Sequence, residues 1–499
     1  MFRRTGSAIG TGFRRRTSIH STVTSSTPGG RNRLTASNQI KADDMKLAIP
    51  NLAGQFYKSG AWGNTTLNGL IKTTATRFPD RLAIADAPDR SNWTGGVPRQ
   101  LTYAQADAEI DRIAALFRSA GLVADEIVGM QAPNSVDAVV TFLAALRAGL
   151  IVSPLPLHWR DDEVLHALGA LDAKAFISAD WIETRDSASS ARNLAAELFG
   201  LRFVFGLGSN LPDGMICLGT MLEELGDGLA CDFQEPDDPA NHLTTICWSQ
   251  SDPEPVPVTR THNQWLSAGR AVCDAAGFEE GAVILLPYSL TGLTGIGAGL
   301  APWLLTRGTL HLHYPTSVEQ LGTHAITVDA DWILSPGQLA NALNRQLGSE
   351  SGRIVAAHPV SHMRPQAHSE TGSVIDLHVA DEFGLVAASS CIQAALSEQS
   401  SMDHAEGNRH IHHSTHLEIL VPPNAESTSR SSHPLLFRGP MVPQTGWNGT
   451  HRIAGLAVTD DGCLETALDL ALQDGLFAGF SPGKPSDGLS GPRRVPEVA

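Results

Sequence analysis

Several things are missing from this 499-residue chain, and each absence removes a class of protein. No apolar run reaches the roughly 18 to 20 residues that a membrane-crossing helix needs. The most apolar stretch, 282–305, is interrupted by Pro287, Pro302 and several glycines, so it is expected to be buried core. The six cysteines (Cys217, Cys231, Cys247, Cys273, Cys391 and Cys463) form no CxxC pair. That scatter suits neither a zinc site nor a disulfide framework and predicts inert packing residues in a reducing compartment. Basic charge is short as well: the formal net charge is -16. Nucleic-acid binding needs a basic face to neutralise phosphates, so that partner class is excluded.

Only the first 42 residues reverse this balance. They carry Arg3, Arg4, Arg14, Arg15, Arg16, Arg31, Arg33 and Lys41 and no acid, among many Ser, Thr and Gly. Such a composition predicts an unstructured basic leader over 1–44, with Met45 as an alternative start, or else a mitochondrial transit peptide. The location expected is accordingly cytoplasmic, with the mitochondrial matrix as the alternative.

What is present is a globular balance, 42% hydrophobic and 18% charged, with alternating helical and strand-like segments. Residues 101–120 place Ile110, Ile113, Ala114 and Phe117 at amphipathic helix spacing, with Gly121 as the stop. A strand at 126–132 and a helix at 135–148, capped by Asn134 and stopped by Gly149, lead to a strand at 150–154. Strand, helix and strand in that rhythm predict a βαβ unit with a parallel sheet. Further strands are expected at 175–178, 202–206, 283–287, 309–313, 326–334 and 353–357. The organisation expected is an α/β body over 45–395, a β-rich part over 396–479 and a flexible tail over 480–499. Within it, 397–415 is polar and holds His404, His410, His412 and His413 without firm metal-ligand spacing, which predicts a solvated loop. Asp460-Asp461-Gly462 between apolar flanks is a hairpin signal.

The words LTYAQADAEIDRIAALFRSAGL and APNSVDAVVTFLAALRAGLIVSPLPL stand in order over about fifty residues. They closely resemble the opening of the adenylate-forming superfamily: acyl-CoA synthetases, luciferases and peptide-synthetase adenylation domains. Weaker words follow in the family's order, from ILLPYSLTGLTGIGAGLAPWLLTRGTLHL through VADEFGLVAA and LLFRGPMV to AGLAVTDDGCLET. The resemblance spans roughly 67–466. It implies the family's large N-terminal domain, α/β with two βαβ-rich subdomains and a small β-barrel, and a mobile C-terminal domain that is absent or vestigial. Only about thirty residues follow Thr466, and Lys484 is too isolated to stand for the family's catalytic lysine.

The family reaction joins a carboxylate to AMP from ATP and then passes the acyl group to a thiol. Its first step needs donors, a cation and magnesium around the triphosphate. The family supplies a glycine-rich loop ending in Pro-Lys-Gly. Here the matching stretch, TTICWSQSDPEPVPVTRTHN, has no glycine, and Pro255-Val256-Pro257 replaces the triplet. Prolines donate no N–H, and Asp252 and Glu254 add like charge, worth on the order of 4 kcal/mol per close pair at an effective dielectric of about 20. The resemblance aligns the family's YGxTE with Phe383-Gly384-Leu385-Val386-Ala387, so its phosphate-side Thr and magnesium-holding Glu become Val386 and Ala387. Asp381 and Glu382 are expected to point elsewhere. The ribose-binding Asp falls in Ile453–Leu456, which holds no acid, and PLFH becomes Pro287-Tyr288-Ser289-Leu290.

Two functions are therefore expected. One is a pseudoenzyme: no ATP, magnesium, metal or CoA bound, a vestigial nucleotide cleft at Ser249, Ser251, Arg260, His262, Phe383 and Gly384, and a possible carboxylic-acid, acyl or protein partner. Its acyl pocket would be walled by 288–300. The other is a divergent acid–thiol ligase using ATP, magnesium and CoA, with Arg260 and His262 near the phosphates and a separate protein supplying the mobile domain.

Overall fold

The computed structural model describes residues 49–482 except 226–230, 232, 250–254, 315–316, 349–351, 361–373, 388–408, 422–434, 448–451, 454–455, 460, 467 and 474–475. The leader, Cys391, His404 and Lys484 lie outside the described residues.

Two short strands, β1 (Leu82–Ala85) and β2 (Gln100–Thr102), come first. Next are β3 (Ile127–Gln131), β4 (Ile151–Pro154), β5 (Ala175–Ala179), β6 (Phe203–Leu207) and β7 (Ile216–Cys217). A hairpin of β8 (Leu243–Ser249) and β9 (Val256–Thr261) follows. The chain then lays down β10 (Val283–Leu286), β11 (Thr309–Leu312), β12 (Trp332–Pro336), β13 (Arg353–Pro359), β14 (Val374–Ala380) and β15 (Gly384–Ala387). These make two mixed sheets, ordered β15-β14-β13-β12-β10-β11-β1-β2 and β9-β8-β4-β3-β5-β6-β7. Most neighbours pair parallel; the antiparallel pairs are β1–β2, β14–β15 and the β8–β9 hairpin. The α/β expectation holds.

Helix Val136–Arg147 is buried along nearly its whole length, which explains an apolar run on every face rather than a stripe. It belongs to one core with Val128 and Ile177 of the second sheet and Ile284 and Leu310 of the first. Its start corrects the sequence reading. Ser135, not Asn134, is the cap, and its side chain accepts the Ala138 N–H at 3.3 Å. Asn134 instead ties the sheets, donating Nδ2 to the carbonyls of Leu286 (2.6 Å) and His313 (3.2 Å). Ser135→Ala is therefore expected to cost about 1 kcal/mol in urea unfolding, the usual worth of an N-cap; no loss would remove that role.

Helix Tyr103–Ser119 begins two residues later than the pattern suggests because Thr102 caps it in a box with Gln105. The strand expected at 326–334 shrinks to β12. Ile326 lies on helix Val318–Thr327 and is exposed, because its apolar neighbours repeat at helical spacing toward Leu321 and Ala325.

The β-rich part corrects three further expectations. Arg409–His413 is a strand, pairing antiparallel with Glu418–Val421 inside the stretch expected to be a loop. Among the described residues the third sheet is an open four-stranded one, completed by Leu436–Arg438 and Leu464–Glu465, and not a closed barrel. Strand Leu476–Pro482 runs past the boundary expected at 480, and Phe480 is fully buried. The turn at Gly462 (φ 77°) is formed as its sequence predicts, with Thr459 and Cys463 bonded across it.

Candidate functional site

The hairpin β8–β9 stands where the family's phosphate loop is expected, and its register fixes what faces that loop. Ser249 pairs with Val256 and Trp248 with Pro257, so the last turn before the loop carries a valine and a proline in place of a cation and a glycine. Ser251, Asp252 and Glu254 lie outside the described residues.

Ser249 is buried, and its hydroxyl donates to the carboxylate of Glu382. Glu382 sits in the turn between β14 and β15, and the expectation that it points elsewhere is wrong. The turn comes at residues 381–383, so the carboxylate that meets the hairpin is Glu382. Val386 and Ala387 lie further along β15, paired with His378 and Leu377. Val386 is packed in the apolar core.

Arg260 reaches this corner from β9, and it is 1% exposed. Its guanidinium donates to the carbonyls of Met441 and Asp381, both at 2.7 Å, and lies over the Trp265 ring at 5.2 Å. Burial pulls it down to about 10, with Cys247, Asp381 and Glu382 acting the other way. The side chain thus joins the second sheet, the 381–383 turn and the third sheet's segment. Each of its two terminal nitrogens donates to a backbone carbonyl.

Asp381 is half-buried. Its carboxylate accepts the Leu293 N–H at 2.9 Å, and burial pushes it up to about 6. Phe383 stacks on Phe437 with ring centres 3.9 Å apart, and Phe480 closes the cluster edge-on. A Cβ at Gly384 would fall 2.6 Å from Met441 Sδ. Phe383 and Gly384 are therefore occupied in packing the third sheet onto the turn.

His262 is separated from this corner. It opens helix His262–Ala276 at the far end of β9, about 20 Å from the loop at ~3.3 Å per strand residue. Its Nδ1 accepts the Leu67 N–H at 3.3 Å, and burial lowers it to about 3, so it is a neutral ring. The ligase reading that put Arg260 and His262 together at the phosphates is not what the fold assembles.

Tyr288–Leu300 is buried for the most part, with Tyr288, Ser289, Thr291 and Thr294 half-buried. Its π-helical part, Leu293–Leu300, packs so closely that a Cβ at Gly295 would lie 1.9 Å from the Ser289 carbonyl. Leu290 and Thr291 help line a narrow cleft between the two sheets, with Met130, Ala132, Val139 and Leu155, whose free room is only about 10 Å³.

The corner's fit to a magnesium triphosphate can be tested on these groups. Such a ligand needs a free cation and several free amide donors. The described residues offer a buried arginine with both arms bonded, two carboxylates and three residues of Pro-Val-Pro. They do not fit it. Ser249 and Glu382 are 133 positions apart, so no local signal could have paired them.

The family described as AMP-binding enzyme matches residues 71–363. The salicyl-AMP ligase / salicyl-S-ArCP synthetase of Mycobacterium tuberculosis is 31% identical over 252 residues, covering 49% of this chain and 43% of that protein. The medium-chain fatty-acid–CoA ligase of Escherichia coli K12 is 24% identical over 252 residues, 50% of this chain and 42% of that one. The chain spans about two fifths of the length of these curated relatives. Among solved structures, Mycobacterium smegmatis MbtA without ligand superposes with TM-score 0.67 at 17% identity, over 88% of this chain and 79% of that chain. The N-terminal domain of Mycobacterium tuberculosis FACL13 gives 0.64 at 15%, over 84% and 100%.

Proposed function

This chain belongs to the AMP-binding enzyme family, and we propose that it is a member without ATP-driven adenylation that keeps the scaffold as a binder of a small carboxylic or acyl ligand or of a protein partner. The observation that carries the reading is the state of Arg260: buried, and bonded through both arms to the Met441 and Asp381 carbonyls. Two of its five N–H groups are spent on these carbonyls, and its burial, 1% exposed, sets the guanidinium apart from a phosphate bound in an open cleft. Val256 at the hairpin position of the family's lysine and the nearby carboxylates of Asp381 and Glu382 support the same conclusion. The apolar cleft beside Leu290 and Thr291 has room for about one water as it stands, so a retained acid there requires those two residues to move aside.

The test follows from the relatives' chemistry. Purified full-length protein is incubated with Mg-ATP and either salicylate or medium-chain fatty acids, and pyrophosphate is measured. The expected result is no release above background and no thermal shift with Mg-ATP, whereas a ligand at 100 times its Kd adds about 2.7 kcal/mol. Acid-dependent pyrophosphate release would end this reading.

A second reading has one observation in its favour. Glu382 faces the hairpin, where a carboxylate could take the magnesium-holding role that the resemblance assigned to position 387. This would make the chain a divergent acid–thiol ligase needing ATP, magnesium and CoA. Under it, any pyrophosphate release falls sharply in Glu382→Gln; under the first reading there is no release to lose.

A further inference from the structure

The second sheet has a small cleft, with free room of about 40 Å³, at the end opposite the hairpin loop. It opens at the N-terminal ends of β4 and β8, lined by Gly149, Leu150, Leu243 and Thr244. Gly149 is left-handed there (φ 75°), and a Cβ on it would fall 2.4 Å from the Phe233 ring that forms the opposite wall.

Two helices begin at this cleft. Thr66 caps helix Leu67–Arg77 and Thr261 caps helix His262–Ala276, and Thr66, Asn68 and His262 line the space. Helix N-termini carry partial positive charge, and two of them add.

The hydrogen bonding of the lining settles which groups remain. His262 is 7% exposed, and its Nδ1 is used as an acceptor by Leu67 N–H. The neutral ring must then carry its proton on Nε2, which has no hydrogen-bond partner among the described residues. Asn68, also 7% exposed, gives one amide hydrogen to the Leu143 carbonyl (3.2 Å) and keeps a second. The buried acceptors are already taken. Thr66 Oγ1 accepts Gly69 N–H at 2.9 Å and Asn68 Oδ1 accepts Arg147 Nε at 3.3 Å, while the lining His242 is held from outside the cleft by the half-exposed Asp125 at 2.5 Å. Thr244 donates to the Arg260 carbonyl at 2.8 Å. What is left is a pair of buried donors beneath two helix N-termini, so the complementary ligand is an acceptor with negative charge. Glu235, exposed at the mouth, is the one opposing carboxylate in the lining.

We propose that this cleft is a binding site for a small oxyanion, held by His262 Nε2–H and the second Asn68 amide hydrogen. The shared chemistry is a compact anionic oxygen group, whether phosphate, sulfate or a carboxylate end. The site is independent of the hairpin corner and of whether the chain adenylates.

Thermal unfolding of the full chain tests it, with potassium phosphate, sulfate or acetate titrated against chloride at matched ionic strength. Saturable stabilisation at millimolar concentration is expected with at least one of the three, and the arm that acts names the source. A rise that stays linear reports salt exclusion from the surface and overturns the proposal, as does no rise. In His262→Phe the saturable part is expected to vanish; its persistence overturns the assignment. Should that variant not fold, Glu235→Gln carries the test. Removing the opposing charge at the mouth is expected to lower the half-saturating concentration about two- to fivefold, and an unchanged midpoint overturns the proposal.

Discussion

Arg260→Met is expected to destabilise the protein by about 3–5 kcal/mol, the range seen when one member of a buried charged network is removed. The replacement keeps the side chain's length and leaves its surroundings exposed to their own costs. The carbonyls of Met441 and Asp381 lose their 2.7 Å donors, and a buried acceptor without a partner costs about 1–3 kcal/mol. Asp381 and Glu382 also lose the positive charge that partly offsets their burial. The measurement is urea unfolding at neutral pH, read as a change of midpoint at constant slope. The result also separates the two functional readings. An arginine reserved for a phosphate would be bonded mainly to the ligand, and its loss would change the free protein's stability by less than about 1 kcal/mol. A small effect would therefore remove the observation on which the non-adenylating reading stands.

The second large effect is acid sensitivity. Burial lowers His262 to about 3 and His311 and His324 to about 4, and His313 shifts the same way. The His313 and His324 rings meet Nδ1 to Nδ1 at 3.1 Å, and the Nε2 of each is buried without a partner. The sign follows from comparing states. These rings are neutral in the fold below pH 6.5, whereas in the unfolded chain they take protons as pH falls through about 6.5. The unfolded state then binds more protons, so acid lowers stability. Asp381, raised to about 6, and Asp86, also raised by burial, protonate first in the folded state and oppose the trend. The net is about two extra protons on the unfolded chain between pH 6 and 4.5. At about 1.4 kcal/mol per proton and pH unit, with a discount for solvent reaching His311, stability should fall by about 2 kcal/mol per pH unit. Unfolding midpoints at pH 7, 5.5 and 4.5 measure this. A flat profile would mean that the four rings do not share the buried surroundings described.

Helix and strand identity was legible over most of the α/β body because it depends on near neighbours. Ile110, Ile113, Ala114 and Phe117 recur at one helical face, and all four are buried. Gly121 and Gly149 end their helices with φ of 99° and 75°. The errors fall where two local readings competed. Asn134 and Ser135 are both good caps, and only the position of Leu286 and His313 decides that Asn134 has other partners. Ile326 has the β-branched character of a strand residue, yet lies on a helix whose buried side is set by Leu321 and Ala325.

By itself, the sequence determined the order of elements, the family, and the loss of glycine and lysine between Thr244 and Asn263. These rest on residue identity and short spacing, which need no partner from elsewhere in the chain. Tertiary structure alone decided that Glu382 meets Ser249, that Arg260 is buried and bonded to two carbonyls, and that His262 lies at the opposite end of its strand from the loop. Each of those depends on strand direction and on the register between segments more than a hundred residues apart, apart from His262, whose place follows from the length of β9. Packing the two sheets and the third against one another fixes that register, and no pattern within a single segment encodes it.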